Sequence, residues 1–377
     1  MADRVLITGG AGFIGSRLAK RFTEDGAAVT VLDALIPQVH GSDPEASSSV
    51  IALRDTATLM RGTVSSRDDL RRAVDGADVV VHLAAETGTG QSMYEIDRYT
   101  ETNVGGTSKL LEVLAEEGNA VKRLVVASSR SIYGEGSYRT VDGRIVHPPQ
   151  RSDTDMARGD FEVRMQGEGA IVSVPTEENA RLHPSSVYGI TKHAQEALVM
   201  TIAPTLDIEP VALRYQNVYG PGQSLSNPYT GILSIFSSLI RQGNEINIFE
   251  DGHESRDFVY IDDVVTATYL AATTSGVGGA VLNVGSGVGT TVHEVVAALF
   301  EAFGSTVPTR VSGNYRLGDI RHNVADTTRL RERLGFVPET SFREGVHRFA
   351  EWVMSEPVGA DSYQHALNEM ASRNLLK

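Results

Sequence analysis

Tyr188 and Lys192, in the stretch "SSVYGITKHAQEAL" (185–198), stand four residues apart. In a helix that spacing puts both side chains on one face. A tyrosine hydroxyl ordinarily titrates near ~10 and a lysine near ~10.4. A fixed positive charge favours the phenolate, so the pair makes a base usable near neutral pH. Such a base can take a proton from an alcohol. Alone, the stretch reads more readily as a surface tyrosine beside a solvated lysine, so the rest of the chain must decide.

Three other groups bear on that choice. "TGGAGFIG" sets Gly9, Gly12 and Gly15 between an apolar run and a helical pattern. Glycines there let the backbone turn sharply and approach a pyrophosphate at a helix N-terminus. Asp33 follows Gly15 by 18 residues and ends the next apolar run. A carboxylate there accepts hydrogen bonds from adenosine ribose hydroxyls and repels a 2′-phosphate, so NAD is expected rather than NADP. In "SSRSIYG", Ser128 and Ser129 follow a strand and so lie at the carboxyl edge of a sheet, where ligands bind in such folds. A serine hydroxyl there, with Tyr188, makes a two-point grip on an alcohol or ketone oxygen. Arg256, and Arg316 and Arg321 flanking Asp319, offer planar guanidinium forks suited to phosphate.

The elements that must position these residues alternate. Apolar runs at 4–10, 77–85 and 121–129, and the run "AAVTVLDAL", read as buried strands. Helical patterns lie between them, so the first half predicts an α/β fold: a doubly wound parallel (Rossmann) sheet with right-handed crossovers. The rhythm breaks at 136–183, a polar, irregular insertion or flap, and resumes with "HPSSVYGITK". Residues 1–213 and 257–287 are expected to form the dinucleotide-binding domain. Residues 214–256 and 288–355 are expected to form a smaller, mostly α/β substrate domain, and 356–377 a weakly patterned tail.

Composition narrows the function. With 34 Lys and Arg against 48 Asp and Glu, the net charge is −14, which opposes nucleic acid and anionic membranes. With no cysteine, thiolate nucleophiles, disulfides and iron–sulfur clusters are excluded. His82, His183 and His193 lack metal-ligand spacing and read as structural, so no metal is expected. No apolar run nears the ~18 residues of a membrane helix, and the N-terminus has no leader pattern. A cytoplasmic location is expected.

Together, "TGGAGFIG", Asp33, "HLAAE", "NVGGT", "SSRSIYG", "YGITK", "RYQNVYGPG" and "SRDFVYIDDVV" resemble the extended short-chain dehydrogenase/reductase family over nearly the whole chain. "GQSMYEI", "RYQNVYGPGQSLSNPYTGILSIF" and "GDIRHNVAD" are most similar to nucleotide-sugar 4-epimerases, in particular those acting on dTDP-L-rhamnose. The resemblance implies Ser129, Tyr188 and Lys192 as catalytic residues. It implies that NAD is held by Gly9, Gly12, Phe13, Ile14, Gly15, Asp33, Thr63, Val64, Leu83, Ala84, Ala85, Asn103, Tyr188, Lys192, Tyr215 and Val218. For the nucleotide-diphosphate sugar it implies Thr87, Gly90, Gln91, Ser92, Ser129 and Arg130, with Asn217, Arg256, Arg316 and Arg321 on the diphosphate side. It also implies a homodimer paired through the helices containing "YTETNVGGTSKLLEVL" and "SVYGITKHAQEALVM". UDP-sugar 4-epimerases, dehydratases and ketoreductases are the alternatives. Three departures stand out: Thr63 replaces an aspartate usual near adenine, Arg130 follows Ser129 where a small residue is common, and the 136–183 insertion is long. Some rhamnose-epimerase relatives carry cysteines in that insertion; this chain has none.

Overall fold

A computed structural model of the chain describes residues 3–225, 231–357 and 363–377; the "SNPYT" portion (226–230) of one resembling motif lies outside them. Seven strands form one sheet: β1 (Arg4–Thr8), β2 (Ala28–Asp33), β3 (Thr58–Arg61), β4 (Val79–His82), β5 (Arg123–Ser129), β6 (Glu209–Tyr215) and β7 (Ala280–Val284). Their order is β7-β6-β5-β4-β1-β2-β3, and every neighbouring pair is parallel. The order reverses between β1 and β4, so the crevice at their carboxyl ends is where such a sheet takes a ligand.

Every residue of β4 and β5 is buried, as expected for strands covered on both faces. Alternate side chains feed two cores. Val5, Ile7, Val31, Val81 and Val125 join one, and Leu6, Leu32, Val80, Leu124 and Val126 join the other. Helix Phe13–Glu24 starts straight after the glycine loop, and helix Val187–Ile202 starts at Ser186, whose hydroxyl accepts the Gly189 N–H.

Beyond this sheet, Asn217–Tyr219, Ser255–Tyr260, Gly289–Thr291 and His322–Asn323 make a small mixed sheet. Residues 258–260 pair with Asn217–Tyr219 in this small sheet and not with the seven-stranded one. The Asp257 carboxylate accepts from the N–H groups of Ser286, Gly287 and Ala325, which ties this strand to two neighbouring loops. The insertion holds a three-stranded sheet (Ser137–Thr140, Ile145–Val146, Ile171–Val174) and a helical turn, Asp153–Met156. The tail folds back. Helix Tyr363–Ser372 is followed by Leu376, which bridges Arg316, and by Lys377, which exchanges two backbone hydrogen bonds with Tyr315. Among the described residues no helix is long and apolar enough to cross a membrane.

Candidate active site

A cavity of about 990 Å³ opens over the carboxyl ends of β1, β4 and β5 and runs to the smaller unit. That is at the upper end of the range for small-molecule sites. Gly9, Gly12, Phe13, Ile14 and Gly15 line it, as do Asp33, Thr63, Val64, Leu83, Ala84 and Ala85. The glycine loop can only be glycine at two points. Gly9 has φ +67°, and a Cβ there would sit 2.7 Å from the Ala84 nitrogen; a Cβ on Gly15 would meet Gly10 Cα at 2.5 Å. The following helix has no side-chain cap, so its first N–H groups stay open to an anion. Asp33 closes this end. Its carboxylate accepts from Ala11 N–H and Leu35 N–H, both at 2.9 Å, which fixes it at the cavity wall with acceptor sites remaining. These residues fit a dinucleotide. Where an aspartate was the usual residue, Thr63 uses its N–H on Asp69.

At the other end the cavity is lined by Thr87, Gly90, Ser129, Arg130, Tyr188, Asn217, Val218, Arg256 and Arg316. Strand alternation separates the two serines. Ser128 turns into the core and donates to Glu196 at 2.5 Å, while Ser129 lines the cavity with Tyr188 and accepts the Ser131 N–H.

Six expected contacts are placed elsewhere. Arg321 is 1% exposed and is held by Asp251, Glu250 and Glu162, so its fork is occupied by carboxylates. Asn103 is buried and clamps Glu86 through both its backbone groups. Tyr215 shares a hydrogen bond with Thr268. Gln91 pairs with Gln38 and Glu95. Ser92 accepts the Tyr188 N–H at 3.0 Å, which positions the Tyr188 backbone. Lys192 is 3% exposed and donates to Gln195 Oε1 at 2.9 Å, away from the cavity wall.

The geometry has counterparts in known proteins. The family model described as "NAD dependent epimerase/dehydratase family" matches residues 5–154 and 163–285. This chain belongs to that family. It is 35% identical over 357 residues to dTDP-L-rhamnose 4-epimerase of Burkholderia thailandensis, covering 94% of this chain and 95% of that protein. It is 30% identical over 351 residues to UDP-glucose 4-epimerase of Mycolicibacterium smegmatis, covering 93% and 98%. Among solved structures it is similar to UDP-glucose 4-epimerase of Thermotoga maritima with UDP-glucose: TM-score 0.75, 30% identity, 93% of this chain and 99% of that one. MoeE5 in complex with UDP-glucuronic acid and NAD is similar too, with TM-score 0.73, 30% identity and the same coverage.

In this member of the family the charges around Tyr188 differ from the sequence expectation. Burial raises the Tyr188 hydroxyl above its ordinary value, and the Ser129 hydrogen bond and the Arg130 charge pull it back. Lys192 is not among the groups acting on it; burial pushes the lysine down to about 7, with Glu196 opposing. Lys192 belongs to a buried polar chain in which Gln195 meets Thr107, and Thr107 and Thr8 hold the two His82 nitrogens. Burial pushes His82 down to about 3, so the ring is neutral and structural.

The arginines also differ among themselves. Arg256 has both terminal nitrogens engaged, by Asp319 and the carbonyls of Ser255, Ile320 and Arg321. Arg316 lies over the Phe249 ring, and its Nε is buried without a partner. Other cavity residues gave no sequence signal for this role. Glu86 ends "HLAAE" and is paired with Arg98 at 2.7 Å. His40 lies 3.7 Å from Asp33, and Met370 arrives from the tail. Among the described residues, none of the 136–183 insertion lines the cavity.

Proposed function

We propose that the chain inverts C4 of a nucleotide-diphosphate sugar, of the dTDP-L-rhamnose/dTDP-6-deoxy-L-talose type, with NAD as its cofactor. The observation that carries this is the meeting of Ser129 and Tyr188 in one cavity with the glycine loop and Asp33. The fit of the loop and of Asp33 favours NAD. Gly9, Gly12 and Gly15 leave room for a pyrophosphate, and Asp33 faces the ribose.

Ser129 and Tyr188 together orient the sugar O4. Tyr188, as phenolate, takes the O4 proton and later returns it to the same oxygen on the opposite face of C4. Bound NAD supplies the hydride acceptor, the returning hydride and, through its cationic nicotinamide, a positive charge. Holding a tyrosine three units below ~10 is a differential stabilisation of roughly 4 kcal/mol. Lys192, by the family resemblance, holds the nicotinamide ribose; for this its Nζ must turn from Gln195. Arg316, with an open donor, takes the diphosphate. Arg256 adds charge there and fixes Asp319, and Asn217 lies beside both.

A dehydratase needs an acid and a base next to the serine, and Arg130 and Ser131 stand there instead. A reductase using NADPH would meet Asp33. A UDP-sugar remains the second reading, supported by the 30% identity to UDP-glucose 4-epimerases. A homodimer is part of the proposal, since the flanking Ile96 and Ile190 are about half exposed on the elements expected to pair; light scattering giving a monomer mass would remove it. We also place the protein in the cytoplasm.

The test is incubation with dTDP-, UDP- and GDP-sugars in deuterated water with catalytic NAD, read by NMR. Inversion at C4 with no deuterium on carbon is expected. Deuterium at C5 with loss of the C6 hydroxyl would indicate a dehydratase, and stoichiometric use of NADH a reductase.

A further inference from the structure

Met370, 4% exposed, is the described residue of the C-terminal segment 363–377 that lines the cavity. Local geometry fixes it. Helix Tyr363–Ser372 ends in a Schellman turn: Leu375 N–H donates to the Met370 carbonyl and Asn374 N–H to the Ala371 carbonyl, both at 3.0 Å, and Asn374 takes a left-handed φ of +59°. The turn sends the last residues along the smaller unit. Lys377 and Tyr315 exchange backbone hydrogen bonds of 2.9 and 3.0 Å, Leu317 N–H donates to the Leu375 carbonyl, and Lys377 Nζ meets Asp153 of the insertion at 2.6 Å. On the other side the segment seats on the turn Thr89–Ser92 and the residues after it. A Cβ on Gly90 would lie 3.2 Å from Met370 Sδ, and the Arg373 guanidinium lies 4.1 Å from the centre of the Tyr94 ring. The segment thus straps the Gly90 turn to the smaller unit. It does so at the Tyr188 end of the cavity, because Ser92 of that turn holds the Tyr188 N–H.

We propose that Met370 is a specificity-determining residue: held by this strap, its side chain is an apolar wall for the substrate's sugar and selects a hexose with a methyl group at C6 over one with a hydroxymethyl or carboxylate. This rests on the nucleotide-sugar reading above. If C4 is to reach Ser129 and Tyr188, then C5 and its substituent C6 lie at the same end of the cavity. Gly90 has no side chain, and the Met370 sulfur fills the space that one would take. A hydroxyl or carboxylate set against a thioether gives up water and gains no partner, whereas a methyl group loses nothing. Polar groups of the same turn do not offset this: Gln91 is bonded to Gln38 and Glu95, and Glu86 to Arg98. The wall also suits inversion, in which the flat 4-keto sugar presents first one face and then the other. A thioether is unbranched, has three rotatable bonds and imposes no strong directional hydrogen bond, so it packs against either face.

The chain has no cysteine, so Met370→Cys introduces its sole thiol. In the NAD-bound protein, alkylation of that thiol by iodoacetamide is timed with dTDP-L-rhamnose, with UDP-glucose, with dTDP or UDP alone and with no addition, while calorimetry reports which of them bind. A nucleotide sugar at about ten times its Kd should slow alkylation about tenfold, and the nucleotide alone should not. Selectivity is then read as the ratio of affinities for dTDP-L-rhamnose and dTDP-L-mannose, which differ only by the C6 hydroxyl. The parent protein should prefer the 6-deoxy sugar about tenfold or more, Met370→Leu should keep that preference, and Met370→Gln should narrow it to within about threefold. A thiol that does not react in the absence of sugar, or that reacts equally fast under a nucleotide sugar that binds, would overturn the proposal. So would a parent protein that binds both dTDP-sugars equally or neither of them, or a Met370→Gln ratio equal to the parent's. If no nucleotide sugar binds, the nucleotide-sugar reading fails and the proposal with it. If the thiol is protected and Met370→Gln loses selectivity but C4 is not inverted, the epimerase reading alone fails and the wall stands.

Discussion

Two regions of this molecule use arginines in opposite ways. Where the insertion meets the smaller unit, Arg151 and Arg321 have their terminal nitrogens engaged by Glu250, Asp251, Glu162 and the carbonyls of Phe161 and Asp319. At the cavity, the terminal nitrogens of Arg130 and Arg316 have no hydrogen-bond partner among the described residues. The first arrangement fastens one part of the chain to another. The second leaves charge and hydrogen-bonding capacity facing a space that a ligand can fill. What separates the two regions is what the terminal nitrogens meet: groups of the chain itself in the first, the cavity in the second.

The comparison breaks most visibly at the base. Tyr188→Phe keeps the ring and removes the proton acceptor, so kcat should fall ~10²–10⁴-fold, with NAD affinity by calorimetry unchanged. Near-normal turnover would show that Tyr188 is not the base. In the fastening cluster, Arg321→Met leaves Asp251 without its arginine and Glu250 with Arg151 alone. Breaking a buried ion pair from one side costs about 3–5 kcal/mol, read as a lower denaturant midpoint. Arg316→Gln should do the reverse: little change in stability, and KM raised roughly tenfold or more, since a hydrogen bond to a charged group is worth about 1.5–3 kcal/mol. If Arg321→Met were as stable as the parent and Arg316→Gln unfolded it, the distinction between the regions would be lost.

Smaller effects sharpen the same picture. Asp33→Ala should narrow the preference for NAD over NADP, measured by titration of both. The acidic side of the fastening cluster should leave a mark on pH dependence. Burial pushes Glu254 and Glu135 up to about 7. A carboxyl whose pKa is raised on folding stabilises the fold below its unfolded value, and that stability is lost as pH rises through 7. Unfolding free energy should therefore decline between about pH 5 and 8. Glu254→Gln, which cannot ionise, should reduce that decline.

The sequence reached most of the sheet and the glycine loop because both depend on local rules. Apolar β-branched runs alternating with helical patterns specify β1, β2, β4 and β5, while the short half-exposed β3 carries no such run; the close approaches of Gly9 and Gly15 are written in a short, contiguous motif. It did not reach Arg321, whose fork suits a carboxylate as well as a phosphate. Only the fold shows that Asp251 and Glu250 arrive first. Nor could spacing reveal that Lys192, though on the helix with Tyr188, turns to Gln195, or that the tail brings Met370 to the cavity wall. Those depend on contacts between distant parts of the chain.

The central claim is that hydride leaves and returns to C4 within one closed site. The direct measurement uses an accepted nucleotide sugar carrying deuterium at C4, incubated with the protein and an excess of unlabelled NADH in solution. The account predicts product inverted at C4 that keeps its deuterium. Product in which protium from the added NADH has replaced the label would contradict it.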